Sequence, residues 1–301
     1  MRASKGWVAI SFALVALAMR ARTEDAGVAG PWLFKHPIRF DVLQTSICTT
    51  RLDERVIDYK DRASSDVRYR IRLEEGPGAK TLLNLVVFSG VIRNSAGEHW
   101  NYTFDRNGFT ETHDEKPVRQ FLSAGTPDER ASLDQVIVTP WAELTWNNKG
   151  NSSVELTAAG VVQPLAETLA IERFFEILLP PIHAELSVDQ DFHQVTLPPT
   201  PIPVRGMPKV RVTYHVERMN GQIAEIAFNA ETDERIDEGF EWGGIPVADV
   251  EVRVILHGRL TRDDQNKALL AGELDYDLKF TSHKVNFSSL MKGRSEWRRK
   301  D

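Results

Sequence analysis

Three stretches in the C-terminal part of the chain alternate between apolar and charged residues. They run from Lys209 to Glu217, from Val250 to Leu260 and from Leu270 to Phe280. A period of two is typical of a β-strand that has one face in a core and the other in water. With the polar turns between them, these stretches predict an antiparallel sheet of two hairpins with one dry face.

The register of the first hairpin depends on its turn. Asn220-Gly221 is a strong hairpin signal, but a two-residue turn at this dipeptide mixes apolar and polar residues on each face. A three-residue loop that begins at Met219, with Gly221 left-handed, pairs Val216 with Ala224 and keeps the apolar residues together. Since a slip of one residue exposes the whole apolar set, we predict the second register.

The N-terminal half shows the same strand patterns and one helical pattern. Strands are predicted at 67–74, 82–92, 136–146 and 154–158, with 82–92 covered on both faces, and 113–134 is predicted to be a loop with a short helix near Pro127–Arg130. Apolar residues from Leu165 to Leu178 recur at helical spacing after Pro164. The predicted fold is mainly β (α+β), with antiparallel curved sheets or a half-barrel and one apolar helix covering the dry face.

Composition breaks divide the chain into segments. The prediction is a signal peptide at 1–18, a flexible leader at 19–38, a β-rich region with one helix at 39–196, a proline-rich connector at 197–208, the two-hairpin sheet at 209–284 and a basic tail at 285–301. A solvated tail is the default prediction for the last segment, with contact to an anionic surface as the alternative. Whether the two halves form two domains or one sheet is left open.

The first residues indicate export. Arg2 and Lys5 precede an apolar run that ends in a small-x-small cleavage signal, and no other run has transmembrane length. The location expected is therefore periplasmic or secreted. A formal net charge of −6 argues against binding to nucleic acid. The single cysteine, Cys48, lies in an alternating stretch and is predicted to be a small buried hydrophobic residue.

Three segments resemble a known group of proteins. The run from Glu172 to Pro181 precedes Leu186–Phe192, and Ala224–Thr232 has the form A-x-I-x-F-N-x-x-T. Together they resemble a family of uncharacterised, exported, β-rich bacterial envelope proteins, although Gln190 stands where that family has glycine and Phe192 where it has tryptophan. The resemblance implies an envelope or secreted protein with no assigned activity.

Two sets of residues are candidates for binding. Arg68, Arg70 and Arg72 form a basic stripe on one strand face, which suits an anionic ligand or, alternatively, pairs with acidic neighbours. Phe174, Phe175 and Tyr276 are the apolar candidates for holding a lipid-like molecule between helix and sheet.

A third set of residues supports a catalytic alternative to binding. Asp189, Asp191 and His193 share one face of a predicted strand and would suit a metal-assisted hydrolase, whereas the other interpretation is a solvated strand face. No common catalytic motif and no cofactor-binding motif is present. The sequence thus favours a non-enzymatic exported protein that has no cofactor and binds a lipid-like ligand or an envelope partner. The further alternative is a structural subunit that binds partners.

Overall fold

The computed structural model describes residues 36–54, 57–77, 80–93, 98–146, 152–158, 166, 169–180, 185–200 and 204–300. The predicted signal peptide and most of the leader lie outside these residues. The first strands are β1 (Ile38–Glu54), β2 (Ile57–Gly76), β3 (Lys80–Arg93), β4 (His99–Asp105), β5 (Gly108–His113), β6 (Lys116–Leu122), β7 (Ala142–Trp146) and β8 (Ser152–Leu156). The later strands are β9 (Asp191–Thr196), β10 (Val204–Arg205), β11 (Val210–Asn220), β12 (Ile223–Ile236), β13 (Phe240–Trp242), β14 (Ile245–Val247), β15 (Val250–Asp263), β16 (Ala268–Ser282) and β17 (Phe287–Lys300). The two helices of the described residues are α1 (Pro127–Val138) and α2 (Ile171–Leu178).

One large, curved antiparallel sheet contains strands from both halves of the chain. Its order is β6-β5-β4-β3-β2-β1-β17-β16-β15-β12-β11-β9, with β7 and β8 attached beside β3, while β10, β13 and β14 form a small second sheet. Strand β1 therefore pairs with β17, so the first and last described strands are neighbours near the middle of the sheet. This confirms the mainly β, antiparallel and curved fold predicted from the sequence.

Helix α2 covers the dry face of the sheet, as predicted. Phe174, Phe175, Ile177 and Leu178 are fully buried. The helix is anchored by polar contacts as well, because Tyr214 on β11 donates a hydrogen bond to the Ile177 carbonyl at 2.8 Å. The described helix begins at Ile171 rather than at Leu165, which lies outside the described residues. Its first cap, Ala170, has a φ of 48°, which interrupts a right-handed helix.

The first hairpin has a different register from the predicted one. Val216 pairs with Ile226 rather than with Ala224, and the turn follows the Asn220–Ile223 pair. Gly221 is left-handed as expected, with a φ of 60°. A bulge between Val216 and Arg218 supplies the extra residue, so the apolar side chains still share the dry face.

A second bulge changes which leucine is buried in β16. The register shifts between Thr261 and Arg262, and as a result Leu269 is fully buried whereas the predicted Leu270 is half-buried. The same shift turns Arg262 into the core, where its guanidinium lies 3.6 Å from Asp264. Burial lowers the pKa of Arg262 to about 10, against a smaller opposing effect of Asp264.

Three further sequence expectations are corrected. The segment expected to be a solvated basic tail forms β17, which is paired on both sides, by β1 and β16. Residues 136–138 belong to helix α1 rather than to a strand, since a capping box at Thr126 and Glu129 starts a longer helix than predicted. Strand β3 is not covered on both faces along its whole length, because Val87 is 39% exposed. Cys48, by contrast, is buried as predicted.

Neither helix of the described chain is long and apolar enough to cross a membrane.

Candidate functional site

A groove lies on the solvent-facing side of the sheet, where the two ends of the described chain meet. Side chains of facing residues on antiparallel strands share a face, so they form rows across β3, β2, β1 and β17. The first row contains Val87, Arg70, Asp41 and Arg298. The second row contains Ser89, Arg68, Leu43 and Glu296. These two rows line a groove with a volume of about 470 Å³, which we call the trough.

The opposite side of the same strands makes the floor of the trough rigid. Phe40, Tyr69 and Trp297 point inward from β1, β2 and β17 and are buried. The rings of Phe40 and Trp297 lie 6.0 Å apart, and the Tyr69 hydroxyl donates to Gln44 at 2.9 Å. A ligand in the trough would therefore meet side chains whose backbone is fixed by core packing.

The trough lies within a strongly cationic region of an acidic protein. A further row next to the first contains Asn84, Arg72, Arg39 and Lys300. The three rows, which we call the cationic patch, hold six cations and two carboxylates, a net charge of +4, whereas the whole chain carries −6. Such a local excess of positive charge raises the concentration of anions at the surface.

One carboxylate of the trough is held by two cations. Arg70 Nε donates to Asp41 Oδ1 at 2.7 Å, and Lys300 Nζ lies 3.4 Å from Asp41 Oδ2. The hydrogen bond from Arg70 is the largest cause of a lowered pKa of Asp41, and Lys300 contributes in the same direction. Asp41 is therefore an anion at neutral pH, and Arg70 is its main partner.

The second carboxylate of the trough is also paired. Glu296 accepts a hydrogen bond from Arg298 Nη2 at 3.1 Å and another from Arg294 Nε at 2.9 Å. All of these groups are partly exposed, so the pairs themselves contribute little to stability.

Arg68 differs from the other two arginines that line the trough, Arg70 and Arg298, because none of the described carboxylates forms an ion pair with it. Its guanidinium is exposed in the centre of the trough, opposite Leu43 and Ser89. Leu43, which faces Arg68, is 37% exposed, and Val87, which lies in the adjacent row opposite Arg70, is 39% exposed, so two aliphatic side chains lie near this cation. A guanidinium binds carboxylate, sulfate or phosphate oxygens, and aliphatic neighbours favour a ligand with an apolar part.

A second groove, with a volume of about 550 Å³, continues along the same strands. Ile47 is 45% exposed in it. Two of its cations pair with strand β16, since Lys292 Nζ lies 2.6 Å from Asp277 and Arg294 Nη2 donates to Glu273 at 2.8 Å, and the charge of Arg93 is balanced by Asp66 among the lining residues. This groove therefore offers apolar surface with little net charge.

The three arginines predicted from the sequence share one strand face, but the structure separates their roles. Arg68 and Arg70 line the trough, whereas Arg72 lies one row beyond and donates to Glu74 at 3.1 Å. Pairing with an acidic residue on an adjacent strand, which the sequence left as an alternative, is seen for Arg70 with Asp41, whereas the partner of Arg72 lies on its own strand.

The predicted apolar candidates lie in the core. Phe174 and Tyr276 pack with their rings 5.8 Å apart, and Phe175 is fully buried beside them. Burial raises the pKa of the Tyr276 hydroxyl, against a smaller lowering effect of a hydrogen bond with Ser46. Neither of the two grooves described above is lined by a residue of α2.

The structure separates His193 from the two carboxylates of the predicted acidic triplet. Asp191 Oδ1 lies 2.7 Å from Nδ1 of His215 and the exposed Asp189 lies 3.9 Å from Nε2 of the same ring, whereas His193 Nδ1 lies 3.1 Å from the Thr213 hydroxyl. In the described parts of the chain, no group of three or more His, Cys, Asp or Glu side chains is placed to hold a metal ion.

Sequence reasoning identified only Arg68 and Arg70 among the eight residues of the two rows that line the trough. Asp41 and Leu43 on β1, and Glu296 and Arg298 on β17, lie about 250 positions apart in the chain, and only the β1–β17 pairing joins them. The alternation of each strand alone identifies these residues as outward-facing. No local signal shows which two strands are neighbours.

The fold and the trough define a β-rich protein with one large curved sheet and a cationic groove on its outer face. No protein-family model matches the chain, and no curated protein is similar to it. A lipovitellin structure described by its lipid–protein interactions has a TM-score of 0.46 at 10% identity, covering 88% of this chain and 25% of the lipovitellin chain. The translocator domain of the autotransporter NalP from Neisseria meningitidis has a TM-score of 0.23 at 9% identity, covering 87% and 88%. Both similarities are too distant to carry an argument about function.

Proposed function

We propose that this chain is an exported, non-enzymatic protein of the bacterial cell envelope that binds an anionic, lipid-like molecule in the trough. The observation that carries the proposal is that Arg68, which forms no ion pair with a described carboxylate, faces the exposed Leu43 and has the exposed Val87 in the adjacent row. The signal-like N-terminus and the resemblance to envelope proteins support the location. The lack of a common catalytic motif supports a binding role.

The charges favour an anionic head group. Arg68 offers a guanidinium that no described carboxylate neutralises, inside a patch with a net charge of +4. Hydrogen bonds to charged groups contribute about 1.5 to 3 kcal/mol, less where solvent screens them. One such contact at an exposed site therefore accounts for roughly a tenfold change in affinity.

The shape and the apolar residues favour a tail on that head group. A volume of about 470 Å³ lies within the range of about 300 to 1,000 Å³ that is usual for small-molecule sites. Leu43 and Val87 lie beside Arg68, and the neutral second groove with Ile47 continues from the trough. The buried α2 side chains leave the outer face as the more accessible of the two faces considered for ligand binding.

The test is isothermal titration calorimetry of the purified chain with octyl sulfate below its critical micelle concentration. Octyl glucoside has the same tail and no charge. We expect octyl sulfate to bind and octyl glucoside to bind at least tenfold more weakly. The variant Arg68→Gln should lose about tenfold in affinity for octyl sulfate.

The matched control is Arg211→Gln. Arg211 is exposed on the outer face of β11 in the same sheet and, like Arg68, forms no ion pair with a described residue. Its substitution changes the net charge equally and should leave the affinity unchanged. Equal losses in both variants, or equal binding of the two octyl compounds, would show that the trough is not the site.

A further inference from the structure

Asp41 occupies the position where a second anionic group of a ligand would lie. It faces Arg70 on one side and Arg298 on the other, one row from Arg68. Rows on one face of a sheet are about 6.7 Å apart, so Asp41 and a ligand anion at Arg68 are near neighbours. The carboxylate is held there by Arg70 at 2.7 Å and by Lys300 at 3.4 Å.

This arrangement leaves one free guanidinium for a ligand in the trough. Arg70 and Lys300 already share the charge of Asp41, and Arg298 donates to Glu296 at 3.1 Å. A head group with a single negative charge is matched by Arg68 alone. A head group with two negative charges brings its second charge close to Asp41, where like charges repel.

We propose that Asp41 is a specificity-determining residue that restricts the trough to monoanionic amphiphiles and disfavours dianionic ones. The inference rests on the proposed function, because it concerns the same site. Removing the Asp41 charge frees Arg70 and Lys300, and the site then presents two guanidinium groups in adjacent rows. Paired arginines suit a phosphate monoester, which carries a charge near −2 above its second pKa of about 6.

The experiment compares octyl sulfate with octyl phosphate at pH 8.5, where the phosphate is a dianion. In the wild-type chain we expect octyl sulfate to bind more tightly. In Asp41→Asn we expect the affinity for octyl phosphate to rise at least tenfold and that for octyl sulfate to rise by about threefold. The ratio of the two dissociation constants should therefore change at least threefold.

Two variants separate this role from a general effect of charge. In the double variant Asp41→Asn with Arg70→Gln, the gain in affinity for octyl phosphate should disappear, because Arg70 is the cation that pairs with Asp41 in the wild-type chain. Asp249→Asn removes a carboxylate that Arg235 holds at 2.6 Å elsewhere in the molecule, and it should leave the ratio unchanged.

The outcomes are distinguishable from those of the proposed function. If the wild-type chain binds neither octyl compound, the proposed function fails and the inference fails with it. The inference about Asp41 is wrong, and the proposed function stands, if octyl sulfate binds but Asp41→Asn raises the affinity for both ligands equally. The same holds if the gain in affinity for octyl phosphate persists in the double variant that lacks Arg70.

Discussion

The substitution Phe174→Ala tests whether helix α2 is part of a solid core. Phe174 is fully buried, and its ring lies 5.8 Å from that of Tyr276. Truncating a buried phenylalanine removes apolar contacts and leaves a cavity, which costs about 3 to 5 kcal/mol. A domain of ordinary stability has only about 5 to 15 kcal/mol, so the variant should be folded but much weakened.

The assay is urea unfolding followed by tryptophan fluorescence. With a urea dependence of about 3 kcal/mol per molar, the expected loss lowers the midpoint by about 1 to 1.7 M. The control is Leu290→Ala on the outer face of β17, where the side chain is 38% exposed. A surface substitution of this kind should change stability by about 0.5 kcal/mol or less.

The result that refutes the reasoning is specific. If Phe174→Ala and Leu290→Ala lower the midpoint equally, α2 does not belong to the cooperative core. If Phe174→Ala instead strengthens the binding of octyl glucoside, the helix covers a ligand cavity and the lipid-like molecule enters beneath it. Unchanged binding of octyl sulfate together with reduced stability supports the trough as the separate site.

Two other predictions concern buried tyrosines and a glycine contact. Burial raises the pKa values of Tyr69, Tyr214 and Tyr276. The folded state therefore keeps protons that the unfolded state loses near pH 10. The stabilisation is complete below pH 10, and above it the free energy of unfolding falls by up to about 1.4 kcal/mol per pH unit for each tyrosine. Absorbance at 295 nm should show these three ionising only with unfolding, and normal titration in the folded chain would contradict this. Gly293→Ala places its Cβ against the ring of Tyr276, at a cost of about 1 to 3 kcal/mol; thermal unfolding should show this loss, and a Tyr276→Ala background should remove most of it.

The strand content of this fold is readable from the sequence because alternation is a local property. Each outward or inward position in β11, β15 and most of β16 follows from a period of two. The errors arise where one residue is added to a strand. The bulges after Val216 and Thr261 preserve the apolar face while changing the partners, so a pattern of apolar residues alone does not reveal them.

The basic C-terminal segment was mispredicted for a related reason. From Lys292 onward its outward residues are charged, and its inward residues include Ser289, Gly293 and Ser295, which carry little apolar signal. The side chains of Ser289 and Ser295 are buried because larger ones face them, Phe280 in the first case and Leu274 in the second. Burial of this kind depends on the neighbouring strand, and sequence periodicity does not contain it.

The composition of the cationic patch also argues that it serves binding rather than stability. Arg39 lies directly opposite Arg72 on one side and Lys300 on the other, and like charges in facing positions destabilise a sheet. Like charges face each other elsewhere as well, in the pairs Arg253 with Lys279 and Glu273 with Glu296, but in each of those rows a residue of opposite sign, Asp233 or Arg259, is the next neighbour. Arg72 donates to Glu74 and Lys300 lies 3.4 Å from Asp41, whereas none of the described carboxylates forms an ion pair with Arg39. Departures from local consistency in natural proteins concentrate at functional sites. Arg39, which faces two cations, therefore supports the proposed anionic ligand independently of Arg68.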